Sequence, residues 1–346
     1  MRLKKILKTF LISLISLFSI VLIGMLIYLS SILRLSSEVK TIIKEVVKSE
    51  VPEIINGETG FAINDNVKIW YESIAPKDSA KASVLLFMGI ANDGLAWPDY
   101  FIQPFIDSGY QVIRFDYRGT GLSDWMTDWS KSNAYSLSDI SADGIAILDK
   151  LKIKKAHIIG LSMGGMVAQE TVINYPDRIL SLISIMSSGY IQDPNLMGIS
   201  MDIIKDFVKL GLKYGIIKSE KNSLKLQISA RQLLMGDNQY TINYKKMSEQ
   251  VLYNLRNRNG YNPKVSQQHI YATSLSGSRY EGLKKIEIPT LIIHGNSDPF
   301  IPIEHGKKCV ELIPNAKALF IDGLGHDIPE EFSDTIVNSI LEFIDP

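Results

Sequence analysis

The chain has 346 residues, 21% of them charged, which suits one large core or a core carrying an insertion. Lys+Arg and Asp+Glu both total 37, so the net charge is +0 and no basic excess points to nucleic acid as a partner. The single cysteine, Cys309, excludes an internal disulfide, and its place in an expected helix from Glu304 to Leu312 reads as packing.

The first element is an uncharged apolar run between Lys8 and Arg34. Crossing the hydrocarbon core takes about 20 apolar residues. A secretory signal has an apolar stretch of only about 7–15 residues and a small-residue cleavage site. The run is longer, and Ser30-Ser31 are its only small residues placed for cleavage, so residues 1–35 read as a cytoplasmic N-terminus with an uncleaved transmembrane signal anchor. Arg2, Lys4, Lys5 and Lys8 precede it and Arg34 alone closes it, which turns the following domain extracytoplasmic on a single-pass membrane protein. Residues 36–57 follow as a juxtamembrane stalk. Val39, Ile42, Ile43, Val46 and Val47 share one helical face there, and Pro52 ends it; continuation of the membrane helix fits the same periodicity.

From Phe61 the pattern changes to strands. "FAINDNVKIWYES" reads as a hairpin around Asn64-Asp65-Asn66. "ASVLLFMG" and "QVIRFDY" are continuous apolar runs, as in strands buried on both faces. Helical spacing from Leu137 to Leu151 follows, then "KAHIIG", "LSLISIMSS", "PTLIIHG" and "KALFIDG". Strand–helix alternation implies an α/β fold with a mostly parallel sheet, its core formed by 58–188 and 281–346. Residues 189–280 break the rhythm. They hold helical stretches without a strong strand run and read as a helical cap whose ends emerge near one sheet edge. Its Leu, Ile and Met content assigns substrate choice to it.

The chemistry concentrates in "IIGLSMGGMVAQE". Ser162 stands among Gly160, Gly164 and Gly165, between a strand and a helix. A sharp turn there forces the serine into a strained backbone conformation and requires tiny neighbours. Gly160-Leu161-Ser162-Met163-Gly164 is thus a G-x-S-x-G nucleophile elbow. The partners expected in this architecture follow in the order acid, then histidine: Asp298 after "LIIHG" and His326 after "LFIDG". Asp322 and Asp327 are rivals for the acid. The oxyanion donors would be the backbone N–H groups of Met163 and Ile90, with Gly89 allowing close approach. Trp97 and Trp125 are candidates to line a substrate pocket. His157 and His294 read as strand-end residues, His269 and His305 as surface or cap residues, and Asp116 and Arg118 as braces of a tight turn. No zinc-ligand spacing occurs and "GTG" at 119–121 lacks dinucleotide-loop spacing, so neither metal nor cofactor is expected.

"DYRGTGLSD", "GLSMGG", "HGNSDPFIP" and "GLGH" stand in the order found in α/β-hydrolases, which the chain resembles from about Phe61 to Phe343. More narrowly, "LLFMGIANDGLAWPDYF" followed by "VIRFDYRGTGLSDW" resembles the aclacinomycin methylesterase group, with Met-Gly at the oxyanion loop. The resemblance implies a serine hydrolase for a small or lipophilic carboxylic ester. Triad enzymes of other reaction types remain alternatives: a peptidase, a lactonase, an acyltransferase or a cofactor-free haloperoxidase. A non-catalytic binding protein on the same fold is the alternative from another class. Dehalogenases and epoxide hydrolases require a carboxylate nucleophile, which Ser162 is not. The oligomeric state is not set by the sequence.

Overall fold

A computed structural model of the protein describes residues 10–20, 24, 34–235 and 240–345. Eight strands form one sheet: β1 (Glu58–Asn64), β2 (Val67–Ile74), β3 (Ser83–Phe87), β4 (Gln111–Phe115), β5 (Ala156–Leu161), β6 (Ile179–Ile185), β7 (Thr290–Gly295) and β8 (Lys317–Ile321). Their spatial order is β1-β2-β4-β3-β5-β6-β7-β8. β1 and β2 form an antiparallel hairpin, β2 lies antiparallel to β4, and β4 through β8 run parallel. Asp65 and Asn66 close the hairpin with φ of 48° and 64°, the left-handed geometry that a two-residue turn demands and that Asn and Asp tolerate.

Alternation along each strand distributes the core. Leu85 and Phe87 point into the cluster built with α3 (Leu137–Lys150), α4 (Met163–Asn174) and α10 (Ile303–Leu312). Val84 and Leu86 point to the opposite face, against α2 (Asp99–Asp107) and α11 (Glu330–Ile344). Helices on both faces explain why β3 reads as an unbroken apolar run. Cys309 is buried in the first cluster, in a packing role.

Between β6 and β7 the chain leaves the sheet and forms α5 (Met201–Leu210), α6 (Glu220–Leu234), α7 (Tyr244–Asn257) and α8 (Val265–Ser276), then the single turn α9 (Tyr280–Leu283). The N–H of Arg279 donates to the carbonyl of Gly189 at 3.0 Å and closes the neck of this excursion.

The N-terminal part departs from a free stalk. Helix α1 (Ser37–Val46), capped by the Ser36 hydroxyl, buries Leu35, Val39, Ile43 and Val46 against Leu224, Ile228, Val251 and Leu252 of α6 and α7. Its apolar stripe is satisfied by the protein itself. Residues 34–36 are not helical, so α1 does not continue a preceding helix. Most of the anchor expected over 9–33 lies outside the described residues. Residues 10–20 are helical and exposed, and among the described residues no helix is long and apolar enough to cross a membrane. The structure therefore lends the expected transmembrane span no support.

Candidate active site

β5 ends at Leu161 and α4 begins at Met163, leaving Ser162 alone at the apex with φ 57° and ψ −121°. A side chain on Gly160 would place its Cβ 2.2 Å from the Gly164 carbonyl oxygen, and one on Gly164 would come 2.0 Å from that of Phe87. The small residues are therefore a steric requirement of the elbow. The Ser187 hydroxyl donates to the Ser162 carbonyl at 2.7 Å, and the Ser162 N–H to the Ile185 carbonyl at 2.8 Å, so the strained residue is held on both sides.

Two loops from neighbouring strand ends meet this serine. Nε2 of His326, after β8, lies 2.9 Å from Ser162 Oγ. Nδ1 of the same ring lies 2.7 Å from Oδ2 of Asp298, after β7. Oδ1 of Asp298 accepts the backbone N–H groups of Phe300 and Ile301, both at 2.8 Å. Burial works to raise the Asp298 pKa, yet the neighbouring His326 and His294 outweigh it, and the carboxyl is held well below the usual carboxylate range. Nδ1 of His326 therefore carries the proton that faces Asp298, and Nε2 is left to accept the serine proton. The rival carboxylates are engaged elsewhere: Asp322 accepts the Asn296 side-chain amide at 2.6 Å, and Asp327 pairs with Arg231 at 2.6 Å.

The loop after β3 passes close by. A Cβ on Gly89 would lie 3.7 Å from Ser162 Cβ, in ordinary contact. Tyr117 donates to the Met88 carbonyl at 2.7 Å, and the Ala91 N–H donates to Nδ1 of His269 at 3.1 Å. Ile90 sits half-buried between these two ties. Met163 opens α4, whose first N–H groups have no intrahelical acceptor and are stabilising toward an anion.

His269 lies in the cap helix α8, one of the two positions its sequence context suggests, but it is fully buried rather than at the surface. Burial lowers its pKa to about 4, so its ring is neutral and Nδ1 is free to accept from Ala91. His305 is buried too, between the Ser188 hydroxyl at 2.8 Å and the Met197 carbonyl at 3.0 Å. Sequence reading missed both because isolated histidines carry no periodic signal. His157 bonds the Ser181 hydroxyl at 2.8 Å, and His294 the Ile301 carbonyl at 2.9 Å.

Trp97 is 1% exposed and stacks on Phe101 at 4.8 Å within the core. Trp125 is half-buried, its indole N–H donating to the Gly121 carbonyl at 3.2 Å. Asp116 and Arg118 brace the fold: Asp116 accepts the N–H groups of Gly94 and Leu122, and Arg118 forks onto Asp143 at 2.8 and 2.6 Å.

Cap residues roof the site. The His326 N–H donates to the Leu234 carbonyl at the end of α6, 2.7 Å away. Phe300 packs on the His326 ring at 5.2 Å and meets Phe207 of α5 at 5.9 Å. Ser162 and His326 are 5% and 7% exposed, so the roof is closed over the reactive atoms. Arg258, at the end of α7, bonds Asp116, lies 3.6 Å from Asp93 and stacks over Trp70 at 4.4 Å. That cluster anchors the cap to the loop after β4.

A hydroxyl, an imidazole and a carboxylate linked in line at the C-terminal edge of a parallel sheet define a hydrolase scaffold. The chain belongs to the alpha/beta hydrolase fold family, whose profile matches residues 82–333. It is 24% identical over 284 residues to the rhodomycin D methylesterase DnrP of Streptomyces peucetius, covering 78% of this chain and 93% of that protein. It is 28% identical over 292 residues to the bifunctional esterase/perhydrolase DCH of Acinetobacter calcoaceticus, covering 81% and 97%. Its fold is similar to that of the meta-cleavage product hydrolase CumD of Pseudomonas fluorescens IP01, with a TM-score of 0.63 at 21% identity, over 85% and 99% of the two chains.

Proposed function

We propose that the protein hydrolyses carboxylic esters through a Ser162–His326–Asp298 triad. The observation that carries this reading is the unbroken line of hydrogen bonds, 2.9 and 2.7 Å, from the strained elbow serine to a buried carboxylate. Ser162 Oγ attacks the ester carbonyl carbon as its proton passes to Nε2 of His326, and Asp298 stabilises the imidazolium. The oxyanion is met by the N–H groups of Ile90 and Met163. The carbon–alkoxy bond breaks, the alcohol leaves with the proton from His326, and the acyl group stays on Ser162. Water, deprotonated by the same imidazole, then releases the carboxylic acid and restores the serine. The buried roof favours an apolar ester, with Trp125 at the rim and Trp97 supporting the wall from the core. The methylesterase and esterase relatives support the reaction class. The chain between Lys8 and Arg34 tethers this domain to a membrane, with the site on the extracytoplasmic side; the uncharged run and its basic flank support that placement.

The likeness to a meta-cleavage product hydrolase favours a second reading, cleavage of such products on the same triad. Steady-state assays with methyl and aryl esters, amides, lactones and a meta-cleavage product separate the two. Ester kcat/KM should exceed that of every other class. Preference for the meta-cleavage product, or no turnover of any ester, would refute the ester reading.

A further inference from the structure

Helix α5 and the turn that continues it carry two apolar stripes. The inner one is buried: Ile203 and Leu210 are 8% and 0% exposed, and Phe207 meets Phe300 above the His326 ring. The outer one faces solvent. Met201, Ile204, Val208, Leu212, Ile216 and Ile217 are between 37% and 71% exposed. Through Ile216 their spacings of three and four place them on one side of the helix. An apolar line of this length on a water-facing helix marks an interaction surface.

Two further observations say what covers it. Beyond Leu212 the stripe meets a group of cations: Lys213 lies close enough to Arg34, Lys40 and Lys225 for their charges to reinforce the effect of burial in lowering its pKa. Lys221 and Lys40 act on Lys225 in the same direction. Like charges gathered by folding are relieved by an anionic partner. The second observation is the course of the chain. Arg34, one of these cations, is the residue at which the uncharged run over 9–33 ends, and Leu35 beside it is buried under α1, α6 and α7. The uncharged run therefore joins the described domain at Arg34, within electrostatic reach of Lys213 beside the exposed stripe. A helix with an apolar face and a basic flank is the form that lies in a membrane interface.

We propose that the outer face of α5 and of the turn that continues it, from Met201 to Ile217, rests on a lipid bilayer, with Arg34, Lys40, Lys213 and Lys225 against anionic headgroups. This deepens the tether reading given above. The cap then presents the roof of the site to the bilayer, and an ester dissolved in lipid reaches it without crossing water. A second copy of the chain, or the apolar run folded back on its own cap, would be a different occupant.

The test uses the full chain with a single environment-sensitive fluorophore on Val208→Cys, Ile216→Cys or, as control, Lys155→Cys, which is exposed just before β5 at the sheet end opposite Ser162. Cys309 is buried and its thiol is pushed up to about 11, so it stays unlabelled. Protein is mixed with phosphatidylcholine vesicles with or without phosphatidylglycerol, some carrying spin-labelled lipid. The labels at 208 and 216 should shift to the blue, lose most of their emission to the spin label, and do so more fully with phosphatidylglycerol; the label at 155 should do neither. Emission at 208 and 216 as unquenched as at 155 would overturn the proposal. A blue shift before vesicles are added would also overturn it, in favour of the chain's own run or a second copy. Vesicle flotation reports the tether separately: protein that floats with 208 and 216 unquenched keeps the tether and loses the face.

Discussion

In β3, Val84, Leu85, Leu86 and Phe87 are all 0% exposed; along α5 and the turn that continues it, Val208 and Leu212 are 55% and 40% exposed while Leu210 between them is 0%. The inner strands of the sheet bury their apolar side chains on two faces, and the outward apolar side chains, Phe61, Ile63 and Phe320, belong to its edge strands β1 and β8. The cap carries apolar side chains on both sides of its helices. A sheet packed on both faces has one arrangement, and it holds Ser162, Asp298 and His326 at fixed separations. The cap is tied to the core through buried groups such as the Arg258 cluster, and it roofs the site on one side while it faces solvent on the other. Geometry for the reaction therefore resides in the core, and access to it in the insertion.

The largest effect should come from the core. Asp298→Asn leaves the shape intact but reverses the hydrogen-bond role facing His326 Nδ1, and kcat on a p-nitrophenyl ester should fall by about four orders of magnitude. If Asp298→Asn is nearly silent while Asp322→Asn is crippling, the carboxylate is misassigned. At the seam between the regions, Arg258→Met leaves Asp116 and Asp93 buried without their shared guanidinium. The loss should be about 3–5 kcal/mol of unfolding free energy, measured by urea titration; a loss below about 1 kcal/mol would mean the cap is not anchored there.

The same cluster gives a pH dependence. Burial, and then the Asp93 carboxylate, push Asp116 up to about 7 against the pull of Arg258. Its folded pKa is raised, so the folded state holds a proton that the unfolded state has released between about pH 4 and pH 7. Stability from this group is full below that window and is lost as pH rises through it. Burial holds His157 and His269 near 4, so these two act in the opposite sense over the same window. The Asp116 contribution is therefore read as a difference: the melting temperature of Asp93→Asn, where one competing charge is gone, should fall less, or rise more, from pH 5 to pH 7 than that of the native chain. Equal slopes in both would remove the coupling between the two carboxylates.

A smaller effect should come from the tie between α8 and the oxyanion loop. His269→Ala removes the acceptor for Ala91 N–H, a hydrogen bond of about 1 kcal/mol, and kcat should fall roughly fivefold with KM little changed. A change in KM alone would place His269 in binding. The smallest effect should be at the cap surface: Ile216→Ser should change unfolding free energy by no more than about 0.5 kcal/mol. A larger loss would mean that the outer stripe of α5 is packed.

These contrasts also explain what the sequence could say. The elbow was legible because Gly160, Gly164 and Gly165 admit no larger residue, and the strands because burial on both faces leaves unbroken apolar runs. Asp298 could be preferred to Asp322 and Asp327 from the order of the residues, and the structure places it at His326. What could not be read is which surface meets which. The stripe of α1 announces a buried face, but only folding shows that α6 and α7 cover it. The periodicity that hides Ile203 also leaves Val208 in the open, because two stripes on one helix look alike in sequence. His269 stands among residues of a cap helix with no local sign that a loop far upstream will donate to it.

The central claim is that Ser162 is the nucleophile, and covalent labelling tests it most directly. The native chain is treated with a fluorophosphonate, digested, and its peptides are weighed. The account predicts one phosphonyl adduct, on Ser162, formed at a rate that falls sharply in Asp298→Asn and absent in Ser162→Ala. An adduct on another residue, or undiminished labelling and ester turnover in Ser162→Ala, would contradict it.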